Sequence, residues 1–123
     1  MTHTYRPSDE LGPLTDWPFD NPESDYVIVA GAPRASGRLD EGGPGHTYRL
    51  GVWRCTEGIF ACNELGDELQ TVLSGRVRVS WADGRAETFG PGDSFYTRRG
   101  DRVTWEVIEE VTKVFYSLNA EGF

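Results

Sequence analysis

Residues 77–93 read Val77-Arg78-Val79-Ser80-Trp81-Ala82-Asp83-Gly84-Arg85-Ala86-Glu87-Thr88-Phe89-Gly90-Pro91-Gly92-Asp93. Val77–Trp81 alternates apolar and polar side chains, the period-two pattern of a strand with one buried face. Asp83 and Gly84 both tolerate positive φ, so the pair predicts a type I′ hairpin turn. Arg85–Phe89 then returns antiparallel, and Gly90-Pro91-Gly92-Asp93 turns the chain again. Two short strands and two tight turns in so few residues point to an all-β barrel or sandwich.

The same alternation extends in both directions. Downstream, Ser94–Arg98 is a strand, Arg99-Gly100-Asp101 a turn, and Val103–Ile108 and Val111–Leu118 are further strands. Upstream, Glu68–Leu73 runs into Ser74-Gly75, Ile59–Glu64 is broken by Leu65-Gly66, and His46–Cys55 is turned by Thr56-Glu57-Gly58. Tyr26–Ala30 is a short strand stopped by Gly31-Ala32-Pro33. Glu41-Gly42-Gly43-Pro44-Gly45 is a turn or loop; without a following Lys-Ser/Thr pair or helix it is no phosphate cradle. No segment carries a helical period, and no internal repeat is visible.

Residues 1–25 form an irregular arm, kept out of helix and central strand by Pro7, Pro13, Pro18 and Pro22. Residues 26–123 are the barrel. Trp17 and Phe19 argue that the arm docks, since disordered tails seldom carry large aromatics. Two docking places stand open: the arm's own barrel, or a second copy of the chain.

At 123 residues the chain suits one domain with one core. Twelve basic residues face twenty acidic ones, for a net charge of -8. That balance, with no basic cluster, excludes a nucleic-acid binder and disfavours an anionic membrane surface. Met1-Thr2-His3-Thr4-Tyr5-Arg6 has no apolar stretch, and the longest apolar run, Tyr26–Ala30, cannot span a bilayer. The expected location is cytoplasmic. Cys55 and Cys62 make no disulfide framework; they are two buried thiols or, if opposite across strands, one bridge.

From Gly31 to Leu118 the chain resembles the small cupins typified by the ethanolamine-utilisation cupin and the ureidoglycine-aminohydrolase-like cupins. The resemblance rests on Gly51–Gly58, Glu68–Val77, Phe89-Gly90-Pro91-Gly92-Asp93, Gly100 and Thr104-Trp105-Glu106-Val107, in order and correctly spaced, with Ala32–Arg38 as lead-in. It implies a double-stranded β-helix, or jelly-roll, barrel that can hold a small ligand, and a link to amine or amino-acid metabolism. It also implies a homodimer formed by strand or arm exchange, the Trp17-bearing arm being the candidate element.

The resemblance breaks at the metal. Glu68 fills the family's glutamate position, but the two histidine positions before it hold Cys62 and Glu64, and the fourth ligand position holds Val103. The chain's two histidines, His3 and His46, fall elsewhere. No metal or other cofactor is expected; Cys62, Glu64 and Glu68 would be the donors of any divalent ion.

In a barrel alternate residues face inward. Glu68 is then the leading site residue, a general acid or base if its pKa is raised, or a structural group paired with Lys113 or an arginine. Gln70 and Val72 share its face; Val103, Trp105 and Val107 share another. The candidate ligand contacts are Trp53, Cys62, Glu64, Gln70, Trp105 and Lys113. Trp53 and Trp105 are stacking walls or core packing. Two functions follow: binding of a small organic ligand, or a small-molecule enzyme (lyase, isomerase or aminohydrolase-like) using Glu68 as acid and base, with or without an atypical metal site.

Overall fold

A computed structural model describes residues 2–8 and 10–123. Met1 and Asp9, both in the arm, lie outside the described residues, and with Met1 goes the first position of the stretch read for a leader. Nine strands and no helix are found among the described residues: β1 (Thr15–Asp16), β2 (Val27–Gly31), β3 (Ala35–Gly42), β4 (Tyr48–Cys55), β5 (Gly58–Asn63), β6 (Asp67–Trp81), β7 (Ala86–Phe89), β8 (Ser94–Thr97) and β9 (Arg102–Leu118). Accordingly no helix among these residues is long and apolar enough to cross a membrane. All strands join one curled antiparallel sheet, so the expected all-β jelly-roll barrel is the fold.

Two strands form its spine. β6 and β9 pair from Asp67↔Leu118 to Trp81↔Val103. β7 and β8 hang on the outer edge of β6, while β4 and β5 share the opposite edge of β9, leading to β3 and β1 and to β2. The sequence suggests a break at Ser74-Gly75 and another near Glu109-Glu110. The structure instead runs each as one bent strand, because β-bulges absorb the disruption: register shifts fall between Val72 and Val77. Gly75 takes φ 81°, and a Cβ there would lie 1.9 Å from the Glu110 carbonyl oxygen. The bulge also flips the alternation. Glu68, Gln70 and Val72 are buried before it, Val77 and Val79 after it.

The turn at residues 82–84 differs from a two-residue type I′ hairpin. Gly84 N–H donates to Trp81 O at 3.0 Å and Trp81 N–H to Arg85 O at 2.8 Å. Only Gly84 has positive φ, 95°. This is the three-residue loop with a glycine bulge. Asp83 prefers it because its carboxylate accepts from Arg85 N and Nε, at 2.9 and 2.8 Å.

Strands β1 and β3 went unread in the sequence. β3 alternates poorly, holding Gly37, Arg38 and Asp40, and earns its place by pairing with β4 from Ala35↔Cys55 onward. β1 then pairs with β3, Thr15↔Gly37, and Trp17 N–H donates to Ala35 O at 3.0 Å. The arm thus docks on its own barrel. Gly37 makes room for it: a Cβ there would meet the Trp17 ring at 2.6 Å. Phe19 follows into a cluster with Tyr26 and Phe60, centroids 4.9 and 4.7 Å away.

The core gathers Phe60, Val72, Val77, Val79, Phe95, Val103, Trp105 and Val107 between the inner faces. Each such side chain is worth about 1.5–3 kcal/mol when fully buried. One end of the interior is apolar; the other carries charge, and there the site lies.

Candidate functional site

Under the arm lies a cavity of about 160 Å³. β4 contributes Arg49 and Trp53, β5 Phe60 and Cys62, β6 Glu68, and β9 Trp105, Lys113 and Phe115; Trp17, Phe19 and Ser24 of the arm roof it. A dry cavity near 150 Å³ accepts benzene, so this one suits a ligand of about six to nine non-hydrogen atoms.

Lys113 sits at its centre. The residue is 7% exposed, and the register places Trp53 and Val72 directly opposite it on either side. Nζ donates to Glu68 Oε2 at 3.2 Å and to Gln70 Oε1. Gln70 Nε2 donates onward to Thr97 Oγ1 at 2.9 Å. Three rings surround the ammonium, with Trp105, Trp53 and Phe115 centroids at 4.4, 4.8 and 5.9 Å. A buried charge needs such company: one ion pair, one amide acceptor and the negative faces of the rings offset the lost water.

Glu64 stands beside this group, half-buried after β5. The loop holding it is pinned by Glu64 N–H to Asp101 O and Gly100 N–H to Glu64 O, both 2.9 Å. Its Oε1 accepts from Trp105 Nε1 at 3.3 Å. Burial, and then the facing Glu68 carboxylate, push the Glu64 carboxyl up to about 7; Lys113 and the indole N–H pull the other way without prevailing. Glu64 therefore can hold or release a proton near neutrality.

The cysteines are both free and buried, on different strands, with no bridge. Burial pushes the Cys55 thiol up to about 12. Cys62 is raised further, by burial and then by the Glu64 charge, which is the wrong setting for a nucleophile.

The metal positions of the fold family can be tested on the donors present. Cys62 lies opposite Val103 across β5 and β9, so an apolar side chain takes the fourth position. The Lys113 ammonium is already seated on Glu68. No group of three His, Cys, Asp or Glu side chains among the described residues is placed to hold a metal ion. His3 instead pairs with Glu41 at 3.1 Å, and His46 packs edge-on to Tyr48. The donor set does not fit a cupin metal.

Of the residues singled out in the sequence, Trp53, Cys62, Glu64, Glu68, Trp105 and Lys113 line the cavity together. Gln70 does not. It is fully buried behind Lys113, its amide engaged by Lys113 and Thr97. Arg49, Phe60 and Phe115 are not among the candidate ligand contacts of the sequence, although Phe115 stands where the family often has Tyr. Arg49 and Phe115 share the inward parity of Trp53 and Lys113, and that was the signal available. The arm's aromatics were noticed for docking but not as the cavity roof.

The family model of the EutQ-like cupin domain matches residues 42–115. Among solved structures, the chain is similar to the EutQ protein of Clostridium difficile, with 14% identity and a TM-score of 0.62, covering 73% of this chain and 71% of that one. A Rhizobium leguminosarum protein of unknown function is 24% identical, with a TM-score of 0.61, covering 69% and 81%. A DUF861-family protein from Pseudomonas syringae pv. tomato is 24% identical with a TM-score of 0.72; the match covers 88% of this chain but 45% of that longer one. At these identities the likeness shows the fold. Comparison with curated proteins gives no match.

Proposed function

Because the chain belongs to the EutQ-like cupin family, we propose that its barrel binds a small organic molecule, and does so without a metal. One observation carries this reading: a cavity beneath the arm whose wall combines the Trp53 and Trp105 rings with a polar cluster of Glu64, Glu68 and Lys113. Apolar walls with a few convergent polar groups are the usual form of a ligand site. Lys113 supplies the positive charge that a metal supplies elsewhere in the fold. One neighbour, from Salmonella typhimurium, carries ethanolamine utilisation in its name; that name supports a ligand from amine or amino-acid metabolism, and the proposed location is the cytoplasm.

The test is a screen of small amines, amino acids and organic acids, read by tryptophan fluorescence and melting temperature, beside elemental analysis of the untagged protein. A ligand at a hundredfold over its Kd adds about 2.7 kcal/mol. At least one class is expected to shift both readouts in metal-free protein. No shift from any class, or a stoichiometric metal lost in Glu68→Gln, would sink the proposal.

An enzyme reading, as lyase, isomerase or aminohydrolase, is favoured by the Glu64 carboxyl, which is poised near 7 beside the cavity. Glu68, the acid-base residue expected from the sequence, is engaged by Lys113, so within this reading Glu64 moves the proton and Glu68 orients it. Deuterium exchange into a ligand found by the screen, absent in Glu64→Gln, is the expected signature; no exchange in the wild type rejects it.

The homodimer is proposed with a different element from the arm, which is occupied on its own barrel. Leu50, Tyr116, Leu69 and Tyr96 lie in register across β4, β9, β6 and β8 on the outer face. Leu69, Tyr96 and Tyr116 are 52%, 49% and 43% exposed. An apolar row of this kind marks an interface, and a two-fold pairs it with itself. Sedimentation should give a dimer that Leu69→Lys converts to monomer; a monomeric wild type refutes it.

A further inference from the structure

The inner cavity adjoins a larger one, of about 420 Å³, formed with the residue 43–44 loop and the C-terminal residues 119–123. Trp17, Asn21, Arg49 and Leu65 line both, so they stand at the passage between them. Arg49 is set there by β4, paired with Gly42 on one side and Ser117 on the other. Its guanidinium lies 4.2 Å from the Phe123 ring centroid and 5.7 Å from that of Phe115.

What Arg49 lacks is an acceptor. Its Nε is buried without a hydrogen-bond partner among the described residues. The ion pairs found among those residues engage Arg34, Arg38, Arg76, Arg85, Arg99 and Arg102, and pass Arg49 by. A guanidinium does not shed its proton, so this is a permanent buried donor left open. Orphaned donors of this kind are rare in native structures and call for a cause. The phenyl rings beside the group offer it cation–π attraction but no in-plane acceptor, which leaves the N–H fork for one. A carboxylate fits that fork with two parallel hydrogen bonds.

Charge in the inner cavity points the same way. Lys113 is matched by Glu68, whereas Arg49 is matched by no carboxylate among the described residues. Glu64, the other carboxylate of the inner cavity, is directed to Trp105 Nε1 and forms no ion pair with Arg49, so the fork of Arg49 is left for a carboxylate brought by the ligand.

We propose that Arg49 anchors the carboxylate of a small organic acid, whose body of about six to nine non-hydrogen atoms occupies the inner cavity beneath Trp17. This rests on the reading that the barrel binds a small molecule, and names the class of that molecule.

The test uses two trios of matched probes on the full chain: pyrrole-2-carboxylate, its carboxamide and 2-(aminomethyl)pyrrole, and propionate, propionamide and propylamine. Binding is read by tryptophan fluorescence and calorimetry on wild type, Arg49→Gln and Arg49→Lys. At least one acid is expected to bind wild type about ten- to a hundredfold more tightly than its amide or amine, the range for a charge-assisted hydrogen bond. Arg49→Gln should erase that preference, and Arg49→Lys, which keeps the charge but loses the fork, should retain part of it. Should Arg49→Gln fail to fold, the acid-to-amide ratio in wild type and its change in Arg49→Lys still decide. An amide or amine that binds as well as its acid, or an acid preference untouched in both variants, overturns the carboxylate anchor while leaving ligand binding intact. If no member of either trio binds, and the wider screen is also silent, the parent reading falls and the anchor with it.

Discussion

Glu64→Gln should make the protein more stable, and only above a certain pH. The carboxyl sits near 7 in the folded chain against an ordinary 4.5, chiefly because burial disfavours its charge and secondly because Glu68 faces it. Folding therefore takes up a proton between those two pH values, and the stability of the wild type falls as pH rises through that window. A displacement of this size corresponds to roughly 3 kcal/mol as an upper bound. Residual exposure of the carboxyl brings the expectation to about 1–3 kcal/mol. The glutamine side chain keeps an acceptor for Trp105 Nε1 and carries no charge at any pH. The variant should match wild type near pH 4.5 and exceed it at pH 8. With about 3–5 °C per kcal/mol for a chain of this length, the melting temperature at pH 8 should rise by at least about 3 °C. Paired thermal melts at the two pH values, followed by circular dichroism, measure it. An equal difference at both pH values, or a loss at pH 8, would refute the account of why this carboxyl is displaced.

Lys113→Met strands the Glu68 carboxylate and should cost about 3–5 kcal/mol; adding Glu68→Gln should restore a good part of that, and an additive double variant in urea melts would show that the pair is uncoupled. Gly75→Ala meets both a positive φ and the Glu110 carbonyl, so it should lose about 2 kcal/mol or more, whereas Gly84→Ala, with open space around its Cβ, should lose less; equal losses in chemical unfolding would discount the clash. Neither cysteine should react with a thiol reagent in native protein at pH 8, since the thiolate fraction of a thiol near 12 is on the order of one in ten thousand; two thiols should appear on denaturation, and rapid labelling of the folded chain would contradict their burial.

The barrel was legible because strand alternation and turn chemistry are local signals. Val77–Trp81 and the Gly90–Asp93 turn announce themselves without knowledge of partners. Continuity was not legible at Ser74-Gly75, because a bulge and a strand end use the same residues, and only the facing Glu109–Thr112 segment decides between them. β3 was invisible because its pairing with β4, not its own pattern, makes it a strand. For the site, parity along β6 and β9 grouped Glu68 with Gln70 and Val72, and Trp105 with Val103 and Val107, and all six are buried. Lys113 came in as a partner for Glu68 and not by parity, and parity could not tell that Gln70 would lie behind it, since facing inward and touching a cavity are different conditions. Arg49 was missed because an arginine between Tyr48 and Leu50 reads as a solvated position, and its company, Phe115 and Phe123, comes from far along the chain.

The continuous β6 and β9 strands have a further consequence, for the way the chain comes apart. Each runs through both the apolar end of the interior and the charged end, so the two ends share one central ladder even though β4 and β8 serve the charged end and β5 and β7 the other. Melting one half of a molecule built this way breaks the ladder that continues into the other half. Loosening at Lys113 is felt at Trp81, and the barrel should unfold as a single cooperative unit. Assembly bears the converse burden. The pairing of residues 67–81 with 103–118 must close a long loop before it gains most of its contacts, which makes folding slow for a chain of this size. The feature that keeps the cavity from breathing open is also the one that delays its first appearance.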